Sequence, residues 1–184
     1  MLRLPKLKMY QKSHNNVGLF CIYEIILYLC DMEKKNTYAI NWELVGQGLG
    51  LSKEKAIEMF DDGRILGRLG EFLHEKSENG ERQNENSAYD VKESNDVRSE
   101  IRTITDKVSF ASSKEVGYGR KVTENGFQEK LNAIDRFILI DKRLLLEGSV
   151  DTIEVTKEDL KTLPLGKNKS VSAKKFFEKY DGIK

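Results

Sequence analysis

Two groups of side chains in this 184-residue chain are of types that handle phosphate or grip a partner protein. The first lies in the stretch INWELVGQGLGLSKEKAIEMFDDGRILGRLG, residues 40–70. Lys53, Lys55, Arg64 and Arg68 there are cations of the kind that reach nucleic-acid phosphates and base edges. Glu54, Glu58, Asp61 and Asp62 stand among them and would repel a phosphate backbone, whose neutralisation dominates nucleic-acid affinity. The mixture points first to protein docking and second to DNA. The second group is at the two ends. Arg3, Lys6, Lys8 and Lys12 form a basic arm with no acid among them. Lys161, Lys167, Lys169, Lys174, Lys175, Lys179 and Lys184 outnumber Glu178 and Asp181 at the other end. Basic arms of this kind bind phosphate without sequence preference and release it as salt rises. Phe176, Phe177 and Tyr180 fall near one face of a terminal helix, either to anchor it or to enter a partner's groove.

Signatures of catalysis are scarce. GYGRKV (117 onward) has glycines but lacks the strand-to-helix setting of a dinucleotide-binding loop, and GKN at 166–168 lacks the rest of a phosphate-binding loop. The histidines are His14 and His74, too few and too far apart for a metal-binding spacing with Cys21 and Cys30. Carboxylates abound at a charged content of 33%, so no pair stands out. The expectation is a chain with no catalytic residues, no metal and no cofactor.

These side chains need elements to hold them. The run VGLFCIYEIILYLC is apolar almost all round, which suggests an enclosed helix from about Asn16 to Glu33. Glu24 interrupts it, and it is shorter than the ~20 residues of a bilayer span. On such a helix Cys21 and Cys30 face opposite ways, as two thiols in a reducing compartment. TYAIN is a short strand or extended link. Trp42 begins a helix that Gly50 stops, and Ser52 caps the next. EFLHEK is a strand or a helix tail. Residues 77–106 are rich in Asn, Glu and Ser and poor in large apolar groups, the composition of a linker, with a short ordered piece at Val97–Ile104. Helical spacing at Phe127, Leu131, Ile134 and Ile138 competes with a strand at Phe137–Ile140, and VDTIEV alternates as a strand. Thr156 caps a further helix, and Lys169–Tyr180 is the terminal one.

Short helices joined at Gly50-Leu51-Ser52 resemble a helix-turn-helix. Helix, extended piece, helix, turn, helix and then EFLHEK as the start of a wing is similar to a winged-helix domain. Tyr23, Trp42 and Phe60 lie 19 and 18 residues apart, which resembles the core aromatics of Myb and SANT-like domains over residues 17–70. The acid-studded helix is like that of the members that dock proteins. The chain therefore divides into a basic arm (1–14), a helix-turn-helix-like helical domain (15–76), a polar linker (77–106) and a small α+β region with a Lys-rich terminal helix (107–184). The fold expected is mainly α with a smaller α+β part. Net charge of +1 gives no global pull to nucleic acid or membrane. The function expected is that of a non-catalytic adaptor subunit of a DNA- or chromatin-associated assembly, intracellular, with protein partners and weak DNA contact. The alternative is a winged-helix regulator or replication initiator.

Overall fold

The computed structural model describes residues 26–32 (backbone only), 35–84, 87–112, 115 and 121–180. The chain is not mainly α: its centre is a seven-stranded mixed sheet. Strands β1 (Ile26–Met32), β2 (Lys35–Ile40), β3 (Glu81–Arg82), β4 (Val91–Lys92), β5 (Arg98–Thr103), β7 (Arg136–Asp141) and β8 (Ser149–Thr156) run in the order β1-β2-β8-β7-β5-β4-β3. β5 and β7 are parallel, and the other neighbours are antiparallel. β6 (Lys107–Ser109) and β9 (Ser170–Ser172) form a separate antiparallel pair.

Helices cover both faces. On one lie α1 (Trp42–Leu49), α2 (Lys53–Phe60) and α3 (Gly63–Ser77). Their starts follow from local chemistry. The side chains of Asn41, Ser52 and Asp62 accept from Leu44, Lys55 and Arg64 backbone N–H groups, and Gly50 ends α1 in the left-handed conformation that glycine adopts freely. Leu66, Leu69 and Leu73 of α3 then pack on Ile101, Ile138 and Ile140. Trp42 anchors the trio: its ring meets Phe60 at 5.4 Å, and its Nε1 donates to the Leu145 carbonyl at 2.8 Å. The opposite face holds α4 (Glu124–Ala133), α5 (Lys157–Thr162) and α6 (Ala173–Tyr180) over Phe110, Phe137 and Val155.

Several expectations are corrected. Of the helix expected at 16–33, residues 26–32 are a strand paired with β2, and 16–25 lie outside the described residues. An apolar run without clear period fits a strand as well as a helix, and here β2 supplies a partner ladder. The Cys21–Cys30 geometry falls with that helix, since Cys30 stands on β1 and Cys21 is outside the described residues. The linker at 77–106 carries β3, β4 and β5, and β5 lies between β4 and β7 inside the sheet. Few apolar residues suffice there because the buried polar ones, Glu93, Ser99 and Glu100, find partners in the interior. The ordered piece expected at Val97–Ile104 is β5 itself. EFLHEK is the second half of α3, not a wing strand. Strands of the C-terminal part, β7 and β8, join β2 and β5 in the same sheet.

Candidate functional site

Strands β4 and β5 are antiparallel neighbours, with Val91 opposite Ser99 and Lys92 opposite Arg98. One further step of that register sets Asp90 across from Glu100, on the face that α4 covers. Asp90 is tied down by its own backbone and by β5. Its N–H donates to the Ser99 carbonyl at 3.0 Å, and its Oδ2 accepts the Ile101 N–H at 2.7 Å. Glu100 is 3% exposed. Both of its oxygens are engaged, one by the Arg102 guanidinium two residues on and the other by Lys130 Nζ from α4. Lys130 also donates to the Ala88 carbonyl at 2.7 Å, which closes the cluster back onto the approach to β4.

The electrostatics of this cluster are strained. Burial pushes the Glu100 carboxyl up; Arg102 opposes, the nearby Asp90 charge adds to the rise, and Lys130 opposes again. Burial pushes the Lys130 ammonium down against the pull of Glu100, and Arg102 adds to the fall. Both partners are therefore driven toward neutrality, because lost hydration outweighs their mutual attraction. Glu71 of α3 is a third carboxylate in reach of Asp90. Burial raises it, the Arg68 hydrogen bond lowers it, and Asp90 raises it further. Arg102 Nε is buried with no hydrogen-bond partner among the described residues, so one N–H of the fork beside Glu100 remains free to donate.

Clusters of perturbed acids and bases are candidates for sites of chemistry. Among the described residues no three His, Cys, Asp or Glu side chains gather closely enough to hold a metal ion by themselves. Asp90 and Glu100 are two hard oxygen donors set side by side by the strand register. Magnesium takes one or two carboxylates and keeps the rest of its shell for water and substrate phosphate, so this donor pair would fit that ion once Glu100 exchanged a contact with Lys130 or Arg102 for it.

The residues singled out in the sequence are scattered. Lys53 lies 3.8 Å from Glu43, Lys55 is 2.5 Å from Glu58, and Arg64 is 3.5 Å from Asp62. Arg68 pairs with Glu71 at 3.0 Å and so touches the edge of the cluster. Glu54 is exposed on α2, Asp61 pairs with Lys142 at 2.6 Å, and Asp62 caps α3. Lys169 pairs with Glu124 at 2.6 Å, and Lys167, Lys174 and Lys175 are exposed. Phe176 is fully buried and stacks on Tyr180 at 4.4 Å, and Arg143 covers the Phe177 ring at 3.4 Å, so this aromatic group anchors α6. Arg3, Lys6, Lys8 and Lys12 lie outside the described residues. Asp90, Glu100 and Lys130 were not marked by the sequence. The available signal was an acid ten residues before a Glu-x-Arg within a short β-branched run, in a segment where acids are common.

Comparison of the chain with protein-family models, with curated proteins and with solved structures finds no match. Among the described residues no helix is long and apolar enough to cross a membrane.

Proposed function

We propose that the chain is a magnesium-dependent hydrolase of nucleic-acid phosphodiester bonds, in place of the non-catalytic adaptor that its motifs suggest. The observation that carries the reading is the meeting of Asp90, Glu100 and Lys130 at the β4–β5 hairpin. Two adjacent carboxylates repel a phosphodiester unless a cation lies between them and it. A bound divalent cation supplies Lewis-acid stabilisation of the charge that grows on the phosphoryl oxygens and lowers the pKa of a coordinated water.

The chain's own residues do the rest. Asp90, just before β4, and Glu100, on β5, would hold the cation from neighbouring segments kept in register. Lys130, carried by α4 and paired with Glu100, would be released if that carboxylate turned to a cation, and would then be placed to hold the attacking water or the scissile phosphate. Arg102, which holds Glu100 and has a buried Nε–H with no acceptor among the described residues, would donate that N–H to a phosphate oxygen seated against it. In hydrolysis the water oxygen bonds to phosphorus, the ester P–O bond breaks, and the leaving oxygen takes up a proton. Arg82, on β3 beside β4 and over the Phe72 ring, would add charge for the flanking backbone phosphates.

A calorimetric titration of Mg²⁺ into the protein tests the reading. Wild type should take up the ion, and Asp90→Asn and Glu100→Gln should each weaken uptake at least ~10-fold. Unchanged uptake in both variants would refute it.

A second reading has one observation in its favour. Leu44, Leu49 and Leu51 are 43%, 45% and 39% exposed on or beside α1, a surface on which the helical trio could grip a protein. This supports the adaptor subunit expected from the sequence, and a stable co-purifying partner with no hydrolysis would favour it. The regulator alternative needs Lys53, Lys55 and Arg64 on phosphate, and each already has an acidic neighbour.

A further inference from the structure

The face of the β4–β5 hairpin opposite the candidate site carries a second buried polar group that the hydrolytic reading does not use. Glu93 follows β4 and is 3% exposed. Four donors converge on it from three parts of the fold. His74 Nε2 of α3 lies 2.9 Å from Oε1. Arg136, at the start of β7, forms a two-pronged contact, Nε to Oε1 at 3.0 Å and Nη2 to Oε2 at 2.6 Å. The Ser99 hydroxyl of β5, fully buried, donates to Oε1. Arg136 in turn reaches Glu154 of β8, and Glu78 just past α3 at 3.8 Å.

Ser99 and Glu100 are successive residues of one strand, so their side chains leave on opposite faces. Glu93 and Asp90 likewise belong to one arm of the hairpin, three residues apart. The hairpin that bears the two proposed cation ligands is thus bolted from behind to α3 and β7. The hairpin's hydrophobic anchors beside this clamp are Val91 of β4 and Ile101 of β5.

We infer that Glu93 is a positioning residue, which sets the spacing of Asp90 and Glu100 by clamping their hairpin to His74, Ser99 and Arg136. The inference rests on the reading of Asp90 and Glu100 as cation ligands. A shell of hydrogen bonds behind metal ligands commonly controls affinity by about 10–100-fold, although it touches neither metal nor substrate.

The experiment uses the full chain with Glu93→Gln, and Ser99→Ala as a milder second variant should the first fail to fold. Amide hydrogen exchange across residues 90–103 is measured beside a Mg²⁺ titration of the same samples. The expected result is faster exchange confined to that hairpin, with α4 and β8 unchanged, and a Mg²⁺ midpoint raised by ~10-fold. Exchange that rises uniformly, or not at all, with an unchanged midpoint makes Glu93 an ordinary structural contact and overturns the inference. Wild-type protein that takes up no Mg²⁺ overturns the reading of Asp90 and Glu100, and the inference with it. Wild-type uptake that neither variant alters overturns the inference alone.

Discussion

Glu93 shows how a single side chain couples charge to stability. Burial by itself would raise its carboxyl, but hydrogen bonds from His74, Arg136 and Ser99 outweigh burial and bring it down to about 2. Its folded pKa lies below the unfolded one. Between pH 2 and the ordinary value of 4.5 the unfolded chain therefore binds more protons, and stability falls with acid across that window. Full ionisation of this carboxylate stabilises the fold by ~3 kcal/mol, because a tenfold change in proton affinity corresponds to about 1.4 kcal/mol. Urea melts at pH 6 and pH 3 should show wild type losing stability on acidification, and Glu93→Gln should lose clearly less, being weaker already at pH 6. Equal losses in the two proteins would contradict this account of Glu93. The same residue explains why the site was hard to read in the sequence. Glu93, Glu100 and Asp90 sit in a run of acids that looks like solvated linker, and only strand pairing separates a buried, gripped carboxylate from an exposed one.

At the scale of elements, the caps were legible and the pairings were not. Asn41, Ser52, Gly50 and Thr156 act within a turn of their own position, and their local chemistry fixes where α1, α2 and α5 begin or end. Strand β5 depends on β7, residues far along the chain, and on neutralisation of its polar side chains from α3 and α4, none of which has a local signature. The close fit of α3 to the sheet gives a direct test. A Cβ on Gly70 would lie 2.5 Å from Ile140 Cδ1 and 2.6 Å from its Cγ1. Helix propensity favours alanine by ~1 kcal/mol, whereas overpacking a tight interface costs ~1–3 kcal/mol. Overpacking should win, so Gly70→Ala should lower the melting temperature by a few degrees. A rise in melting temperature would mean that α3 stands further from β7 than described. The terminal helix α6 is held by Phe176, fully buried beneath Tyr180. Phe176→Ala should destabilise the chain by ~3–5 kcal/mol in urea unfolding. A loss under ~1 kcal/mol would point to α6 as a loosely held hook for a partner, within the range of a surface substitution.

The whole molecule places helices on both faces of one mixed sheet, and the proposed chemistry on the β4–β5 hairpin toward the β3 edge. The expectation of a mainly helical chain came from reading periodicity segment by segment. An apolar run without period, such as residues 26–32, takes its form from the neighbour it finds, here β2. The candidate site followed the same pattern. The cations that drew attention in the sequence, Lys53 to Arg68, are spread over exposed helix surfaces and each pairs locally. Asp90, Glu100 and Lys130 span forty residues and meet only when two strands and a helix close on one another. The most direct measurement is cleavage of supercoiled plasmid DNA and of single-stranded RNA by the purified chain, with Mg²⁺ and with chelator. The account predicts cleavage of one or both in Mg²⁺, none in chelator, and losses of ~100-fold or more in Asp90→Asn and Glu100→Gln, the size expected when a group that stabilises transition-state charge is removed. Cleavage undiminished in both variants, or no cleavage by wild type with either substrate, would contradict it.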